Sequence, residues 1–364
     1  MGIGCSCQSP EEDKKNTLEL EAGRKPVQQS EAGVVGTVTL SLTMLDIVRV
    51  QSTLRGYLDR KQVRQTYKGS SLSTRLDSGK LPFAELTEVP EYSNPAIQAV
   101  ERRLGEFIYE SDPADSLHVF KRRAVQMDNG AIYIGEWNDM NERHGKGTQI
   151  WNDGSKYDGY WSHDKANGKG RLIHADGDVY IGDWKEDKAH GLGVYMHADG
   201  SKYEGQWSED KQHGKGVETW QDGAKYEGLY EDGKKHGRGL FHWADGSSYE
   251  GDFNENNIHG FGLYRWSDGR AFEGTWSYNK MDGKGKFTWS DGRSYEGEYI
   301  DDKKQGFGIF AWPDGRKYEG YWYNGKQHGK GFYTNTKGER KEGEWTSGKR
   351  TKWLVGNDSV EGDF

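Results

Sequence analysis

Three sets of residues in this 364-residue chain have the type and spacing to do chemistry. The first is the N-terminus, Met1-Gly2-Ile3-Gly4-Cys5-Ser6-Cys7. Removal of Met1 exposes Gly2 with Ser6 four places on, the pattern that accepts a myristoyl chain, and Cys5 and Cys7 stand where a palmitoyl chain is added. One myristoyl chain holds a membrane only marginally, and a second converts this to stable anchoring. The second set is a row of histidines, His144, His190, His213, His236, His259 and His328, spaced by 23 residues or multiples of 23. One imidazole per 23 residues is too sparse for a metal site, and Asn167, Asp282 and Gln305 fill the same place elsewhere. The third is a series of nine Gly-x-Gly pairs, from Gly145/Gly147 to Gly329/Gly331. None extends to a Gly-x-Gly-x-x-Gly or Walker-type phosphate loop, so they read as turn glycines. No nucleophile–base constellation stands out; neither an enzyme nor a cofactor is expected.

The elements that carry these residues are copies of one another. In the block Lys202-Tyr203-Glu204-Gly205-Gln206-Trp207, a polar stretch leads to Gly214-Lys215-Gly216, then to Trp220 and Asp222-Gly223. The leading aromatic recurs at Tyr133, Tyr157, Tyr180, Tyr203, Tyr226, Tyr249, Phe272, Tyr295 and Tyr318, and Lys341 holds a tenth, degenerate place. Gly follows two residues later, from Gly135 to Gly343. An aromatic follows at four: Trp137, Trp161, Trp184, Trp207, Tyr230, Phe253, Trp276, Tyr299, Trp322 and Trp345. In Tyr203-x-Gly205-x-Trp207 the three residues alternate, so they share one face of a strand, and glycine leaves room for a ring over the backbone. The spacing predicts a turn over the polar stretch ending at Gly214, a second strand from near Gly216 to near Trp220, and a tight Asp222-Gly223 turn. One hairpin cannot bury its own rings, but stacked hairpins can.

These residues resemble MORN repeats, whose pattern is Tyr-x-Gly-x-Trp, Gly-x-Gly, Asp-Gly; the resemblance spans residues 129–348. It implies a mainly β fold, an elongated single-layer antiparallel meander of about ten hairpins; the composition and spacing ahead of the repeats add a disordered arm and two helices. The tenth copy, with Lys341 for the aromatic and Lys337-Gly338 for Asp-Gly, reads as a cap with looser strand pairing. The aromatic face, Tyr157, Trp161, Tyr180, Trp184, Tyr203, Trp207, Tyr226, Tyr249, Trp276, Tyr295, Tyr318 and Trp322, is the expected surface for an unidentified protein ligand, a peptide or helix.

Ahead of the repeats, residues 1–41 form an acylated flexible arm, and 42–68 carry helical spacing at Ile47, Val50, Leu54, Tyr57 and Leu58. Residues 49–68 hold six Lys/Arg against one Asp, a basic amphipathic helix. Val50-Gln51-x-x-x-Arg55-Gly56-x-x-x-Arg60-x-x-Val63 resembles an IQ motif. The resemblance implies that Gln51 and Arg55 engage calmodulin or a related EF-hand protein, that Gly56 allows close approach, and that Arg60 pairs with acidic residues. Docking of this helix on the sheet end or on an acidic leaflet are the alternatives. Residues 69–128 read as a loop-like linker, then an amphipathic helix from Pro95 to Tyr109 with Ile97, Val100, Leu104 and Phe107 on one stripe. That helix is expected to cap the open edge of the first repeat. Residues 349–364 form a tail.

Composition bounds the function. The chain is 32% hydrophobic yet 13% aromatic with 52 glycines, which suits a thin ring-stacked structure better than a thick α/β core. Its net charge of -8 argues against nucleic acid. Of the 50 Lys+Arg and 58 Asp+Glu, 17 and 18 lie in residues 1–128, so the repeats carry no general attraction for anionic lipid. The only cysteines are Cys5 and Cys7, which rules out a disulfide framework and suits a reducing compartment. No signal peptide or membrane-spanning segment is read. The expected function is a non-enzymatic scaffold at the cytoplasmic face of a membrane (plasma membrane, cortex or cilium). The alternatives are a phosphoinositide- or phosphatidic-acid-binding sheet and a regulatory subunit of a separate catalytic chain.

Overall fold

The computed structural model describes residues 84–109 and 119–354. The acylation sites Gly2, Cys5 and Cys7, the IQ-like stretch and residues 355–364 lie outside the described residues; the start of the expected 349–364 tail is instead a strand of the sheet, Lys349–Trp353.

Three short strands come first in the sheet: β1 (Ala84–Glu85), β2 (Phe120–Lys121) and β3 (Val125–Gln126). The repeats follow as β4 (Ile132–Trp137), β5 (Arg143–Ile150), β6 (Lys156–Ser162), β7 (Lys165–Ile173), β8 (Val179–Lys185) and β9 (Lys188–Met196). Next come β10 (Lys202–Ser208), β11 (Lys211–Thr219) and β12 (Lys225–Glu231), and the series continues to β18 (Ser294–Ile300). It ends with β19 (Lys303–Ala311), β20 (Lys317–Tyr323), β21 (Lys326–Thr334), β22 (Arg340–Thr346) and β23 (Lys349–Trp353). From β4 onward each strand pairs antiparallel with its neighbour in sequence, giving ten hairpins in one open, single-layer sheet.

The register lines up the glycines. Gly205 faces Gly216 within a hairpin, and Gly216 faces Gly228 of the next, so one glycine row crosses the strands. The turns differ from expectation. The hairpin turn is Glu209-Asp210 alone, both residues at positive φ (52° and 68°), as a two-residue turn matched to strand twist requires. The second strand therefore starts at Lys211, earlier than Gly216. The two glycines of Gly-x-Gly then do different work. Gly214, at φ 58°, and Lys215 are the two residues passed over in a bulge, where the register shifts between Gly205 and Gln206. Gly216 is extended and makes room for a ring. At the other end Gly223, at φ 89°, closes a wider turn by donating to Trp220 O (3.0 Å).

The helix also departs from expectation. α1 spans Pro95–Leu104, ending at Gly105, and it lies on the sheet's face, not its edge. Asn94 caps it, its Oδ1 accepting from Ala96 and Ile97 N–H (2.9 and 3.0 Å) while its Nδ2 donates to Ala175 O. Ile97 and Val100 pack on Ile173 and Val179, with Leu104, Ile181 and Met196 around them. The open edge of β4 is covered instead by β2 and β3, with β1 paired to β3. Pairing removes the exposed backbone groups that a helix end would leave. The tenth hairpin is paired over Gly343–Thr346, with Gly343 aligned to Trp353, while Arg340, Lys341 and Glu342 of β22 align with no residue of β23, the looser pairing expected of a cap. With Lys341 exposed and no ring from that position, Trp345 folds back beside Gly343, where an added Cβ would meet its Cη2 at 2.9 Å.

Candidate functional site: the ring face

Each leading aromatic lies over its own strand's glycine and the one opposite. A Cβ built on Gly216 would sit 2.5 Å from Tyr203 Oη and Cε2. The phenol is pinned from three sides. Tyr203 Oη donates to Gln206 O (2.9 Å), and the ring meets Trp207 (5.1 Å, 88°) and Tyr230 of the next repeat (5.1 Å, 85°), both edge to face. Trp207 Nε1 in turn donates to Gly193 O of the previous repeat (3.2 Å). The pattern holds along the sheet: Tyr180 touches Trp184 and Trp207, and Tyr295 touches Tyr299 and Trp322. Burial pushes these phenols above the ordinary tyrosine value, so they stay protonated donors.

This arrangement changes what the sequence-derived face is. Tyr157, Trp161, Tyr180, Trp184, Tyr203, Trp207, Tyr226, Tyr249, Trp276, Tyr295, Tyr318 and Trp322 are all brought together, and all are buried, none more than 7% exposed. They are the core of a sheet that has no second layer. A partner approaching this side meets a different row.

That outer row is one the repeat pattern alone left unremarked. Trp220, Trp243, Trp266, Trp289 and Trp312 follow the second strand of five successive hairpins, half-buried, and alternate with Phe241, Tyr264, Phe287 and Phe310. Ring centroids run continuously: Trp220–Phe241 5.3 Å, Phe241–Trp243 4.4 Å, Trp243–Tyr264 5.1 Å, Tyr264–Trp266 4.5 Å, and onward to Trp312. The inner indoles of Trp161, Trp207, Trp276 and Trp322 give their N–H to glycine carbonyls. The five outer indole N–H groups donate to no described residue. The signal was present in the 23-residue recurrence of tryptophan; only the structure shows that this row, not the conspicuous one, reaches solvent.

Charges sit among the rings in pairs. Lys235 Nζ and Tyr230 Oη both donate to Glu218 Oε2 (2.7 and 2.9 Å), with the ammonium 4.9–5.9 Å from Trp220, Tyr226, Tyr230 and Phe241. Arg270, Arg293 and Arg316 each lie over the preceding indole (5.3, 5.5 and 5.3 Å), held by Asp268, Asp291 and Asp314.

Toward the N-terminal repeats the outer row becomes His174 and His197. Here Asp178, 7% exposed, accepts from Tyr195 Oη (2.9 Å), His197 Nδ1 (3.0 Å) and Ala198 N–H (2.8 Å). Burial alone would raise Asp178, but the hydrogen bonds from His197 and Ala198 outweigh it and hold the carboxyl below its usual value. Burial likewise opposes charging of His197, and Asp178, with Asp199 and Glu218 nearby, more than compensates, so the imidazole titrates above 6.5. The histidine's contribution is present below 6.5 and is lost as pH rises through its raised folded value. The aspartate's is present above 3.8 and is lost as pH falls through its lowered folded value. The pair is therefore expected to stabilise most between about pH 4 and 6.5. Thermal melts of wild type and His197→Gln should differ most near pH 5–6 and draw together as pH rises through the raised imidazole value; a gap independent of pH would contradict the assignment.

Among the described residues no group of three or more His, Cys, Asp or Glu is placed to hold a metal ion, and no helix is long and apolar enough to cross a membrane. The histidines before Gly-x-Gly stay one repeat apart.

A single-layer meander with rings over a glycine row defines a repeat protein, and sequence comparison gives the class. The MORN repeat pattern matches nine consecutive stretches, residues 133–156, 157–179, 180–202, 203–225, 226–248, 249–269, 272–292, 295–315 and 318–340. The chain belongs to the MORN-repeat family. No curated protein matches the chain significantly. Among solved structures it is similar to the wild-type TCP10 domain of Danio rerio CPAP, at 12% identity over 64% of this chain and 98% of that one, TM-score 0.24. It is also similar to virginiamycin B lyase from Staphylococcus aureus, at 15% identity over 62% and 71%, TM-score 0.13. Likenesses this low carry no argument about function.

Proposed function

We propose that the chain is a scaffold that holds protein partners along the outer indole column while its N-terminal arm ties it to the cytoplasmic face of a membrane. The observation that carries the reading is the column itself: five half-buried indoles in continuous ring contact, each with an N–H donor spent on no described residue. A peptide backbone laid along it gains apolar ring contact and one hydrogen bond per repeat. Gly2, Cys5 and Cys7 supply the anchor, and the basic stretch 49–68, with Gln51, Arg55 and Arg60, supplies a site for calmodulin or a related EF-hand protein. Calcium-loaded calmodulin would then compete with an acidic leaflet for the same basic stretch.

The anchoring half is tested by flotation of the full chain, myristoylated, against Gly2→Ala, on neutral and on anionic vesicles. The acylated chain is expected to float with both. Gly2→Ala should be left behind by neutral vesicles, its partitioning reduced at least ~10-fold, while anionic vesicles keep what the basic stretch 49–68 holds. Flotation of Gly2→Ala on neutral vesicles equal to that of the acylated chain would overturn this reading.

A further inference from the structure

On the face opposite the rings, the segment after α1 crosses three adjacent strands as a strap. Arg171 on β7 donates to Gly105 O (2.8 Å) and lies 5.9 Å from the Phe107 ring. Tyr160 on β6 meets Tyr109 edge to face (5.6 Å, 80°). Lys146 on β5 stands 5.9 Å from the Tyr109 ring, and Tyr109 Oη donates to Gly147 O (3.4 Å). The burial this causes pushes the Tyr109 phenol up to about 12.

Seven repeats further along, the same three places are held by Phe332 on β21, Tyr321 on β20 and Phe307 on β19. The register is the same: Lys146 stands opposite Tyr160 as Phe307 stands opposite Tyr321. The acceptor is repeated too, since Gly147 O takes Trp161 Nε1 and Gly308 O takes Trp322 Nε1. The seat of the strap therefore recurs, with both cations replaced by phenyl rings. Along this track tyrosine appears only at 160 and 321; the other copies are Glu136, Asp183, Gln206, Leu229, Asp252, Thr275, Glu298 and Glu344. Tyr160 is covered. Tyr321 is 56% exposed and Phe307 49%, with Ile309 and Tyr323 exposed beside them.

We infer that this second seat receives an extended segment of a partner chain with two apolar side chains two residues apart, at least one of them aromatic. The spacing follows from the strap, where Phe107 and Tyr109 are the residues that reach the sheet; in extended backbone, residues two apart point the same way. The apolar character follows from the exchange of Lys146 for Phe307 beside Tyr321; at the other end Phe332 takes the place of Arg171 and carries Arg340 over its ring at 3.9 Å, held by Glu319, so a cation still faces an aromatic side chain there. The chain's own strap is not the occupant: it is tied to Arg171 at Gly105 and to Ile173 and Val179 through α1. This seat lies across the sheet from the indole column and stands or falls separately from the proposed function.

The test uses the full chain and a fluorescein-labelled peptide, Ser-Gly-Phe-Thr-Tyr-Gly-Ser, against a control of the same composition with Phe and Tyr adjacent. Fluorescence polarisation should show saturable binding of the first peptide and roughly tenfold weaker binding of the control. Phe307→Ser with Tyr321→Ala should weaken the first peptide by a similar factor. Both side chains are exposed, so the melting temperature should stay unchanged, and Tyr321→Ala alone serves if it does not. Absence of saturable binding, or binding unaffected by the substitutions, would overturn the inference. So would a concentration-dependent dimer, seen by sedimentation and abolished by the same variants, because the occupant would then be a second copy of this chain.

Discussion

Gly216→Ala is expected to cost the sheet about 3 kcal/mol, although the site is extended backbone that alanine adopts freely elsewhere. The new Cβ would fall 2.5 Å from Tyr203 Oη and Cε2. The ring has no retreat, being hydrogen-bonded to Gln206 O and wedged between Trp207 and Tyr230. Overpacking of this kind costs ~1–3 kcal/mol, and the absence of a second layer to shift favours the upper end. Gly223→Ala is the control. Its φ of 89° strains an alanine, but nothing lies within 4 Å, so ~1 kcal/mol is expected. Repeat arrays open locally, so the readout is amide exchange at β10 and β11, not a single melting midpoint. Equal loss at both positions would mean that the ring does not depend on the glycine beneath it.

Tyr226→Ala should be the most damaging single change on the ring face, at ~4 kcal/mol. The side chain is 0% exposed, meets Tyr230 (5.3 Å) and Phe253 (5.1 Å) edge to face, and donates from Oη to Leu229 O (3.0 Å). Its removal leaves a cavity over Gly228 and Gly239 that no other layer can fill. Tyr226→Phe keeps the ring and loses one hydrogen bond, about 1 kcal/mol. The chain already runs this experiment: Phe272 takes the same place, fully buried against Trp276 and Tyr299. Chemical denaturation followed by tryptophan fluorescence should rank wild type, Tyr226→Phe and Tyr226→Ala in falling order. A Phe variant as weak as the Ala variant would shift the weight from ring packing to the hydroxyl.

Much of this was legible because a 23-residue period multiplies every weak signal. Tyr203, Gly205 and Trp207 alternate, and alternation alone puts them on one face of β10. What stayed hidden depended on neighbours in space. Glu209-Asp210 is not a recognisable positive-φ pair in isolation, so spacing alone spreads the turn over the whole polar stretch. Asp210 holds that conformation while its Oδ1 accepts from Ala189 N–H of the repeat before, a contact 21 residues away. An amphipathic stripe does not say which surface receives it; the apolar Ile173, Val179 and Ile181, where most later repeats carry polar residues, are the cue that points to the face. In the sequence the ring row reads as the contact surface, because rings suggest a binding face. In a one-layer sheet the same rings must also be the core, and solvent reaches only the tryptophans one column further out.

The outer column is the proposed place where partners are held. Proximity labelling in cells with the full chain compares wild type with Trp266→Ala/Trp289→Ala/Trp312→Ala, after circular dichroism confirms an intact sheet. The triple variant should keep its membrane neighbours and lose a discrete set of protein neighbours. An unchanged set of neighbours would contradict the claim that these indoles hold the partner.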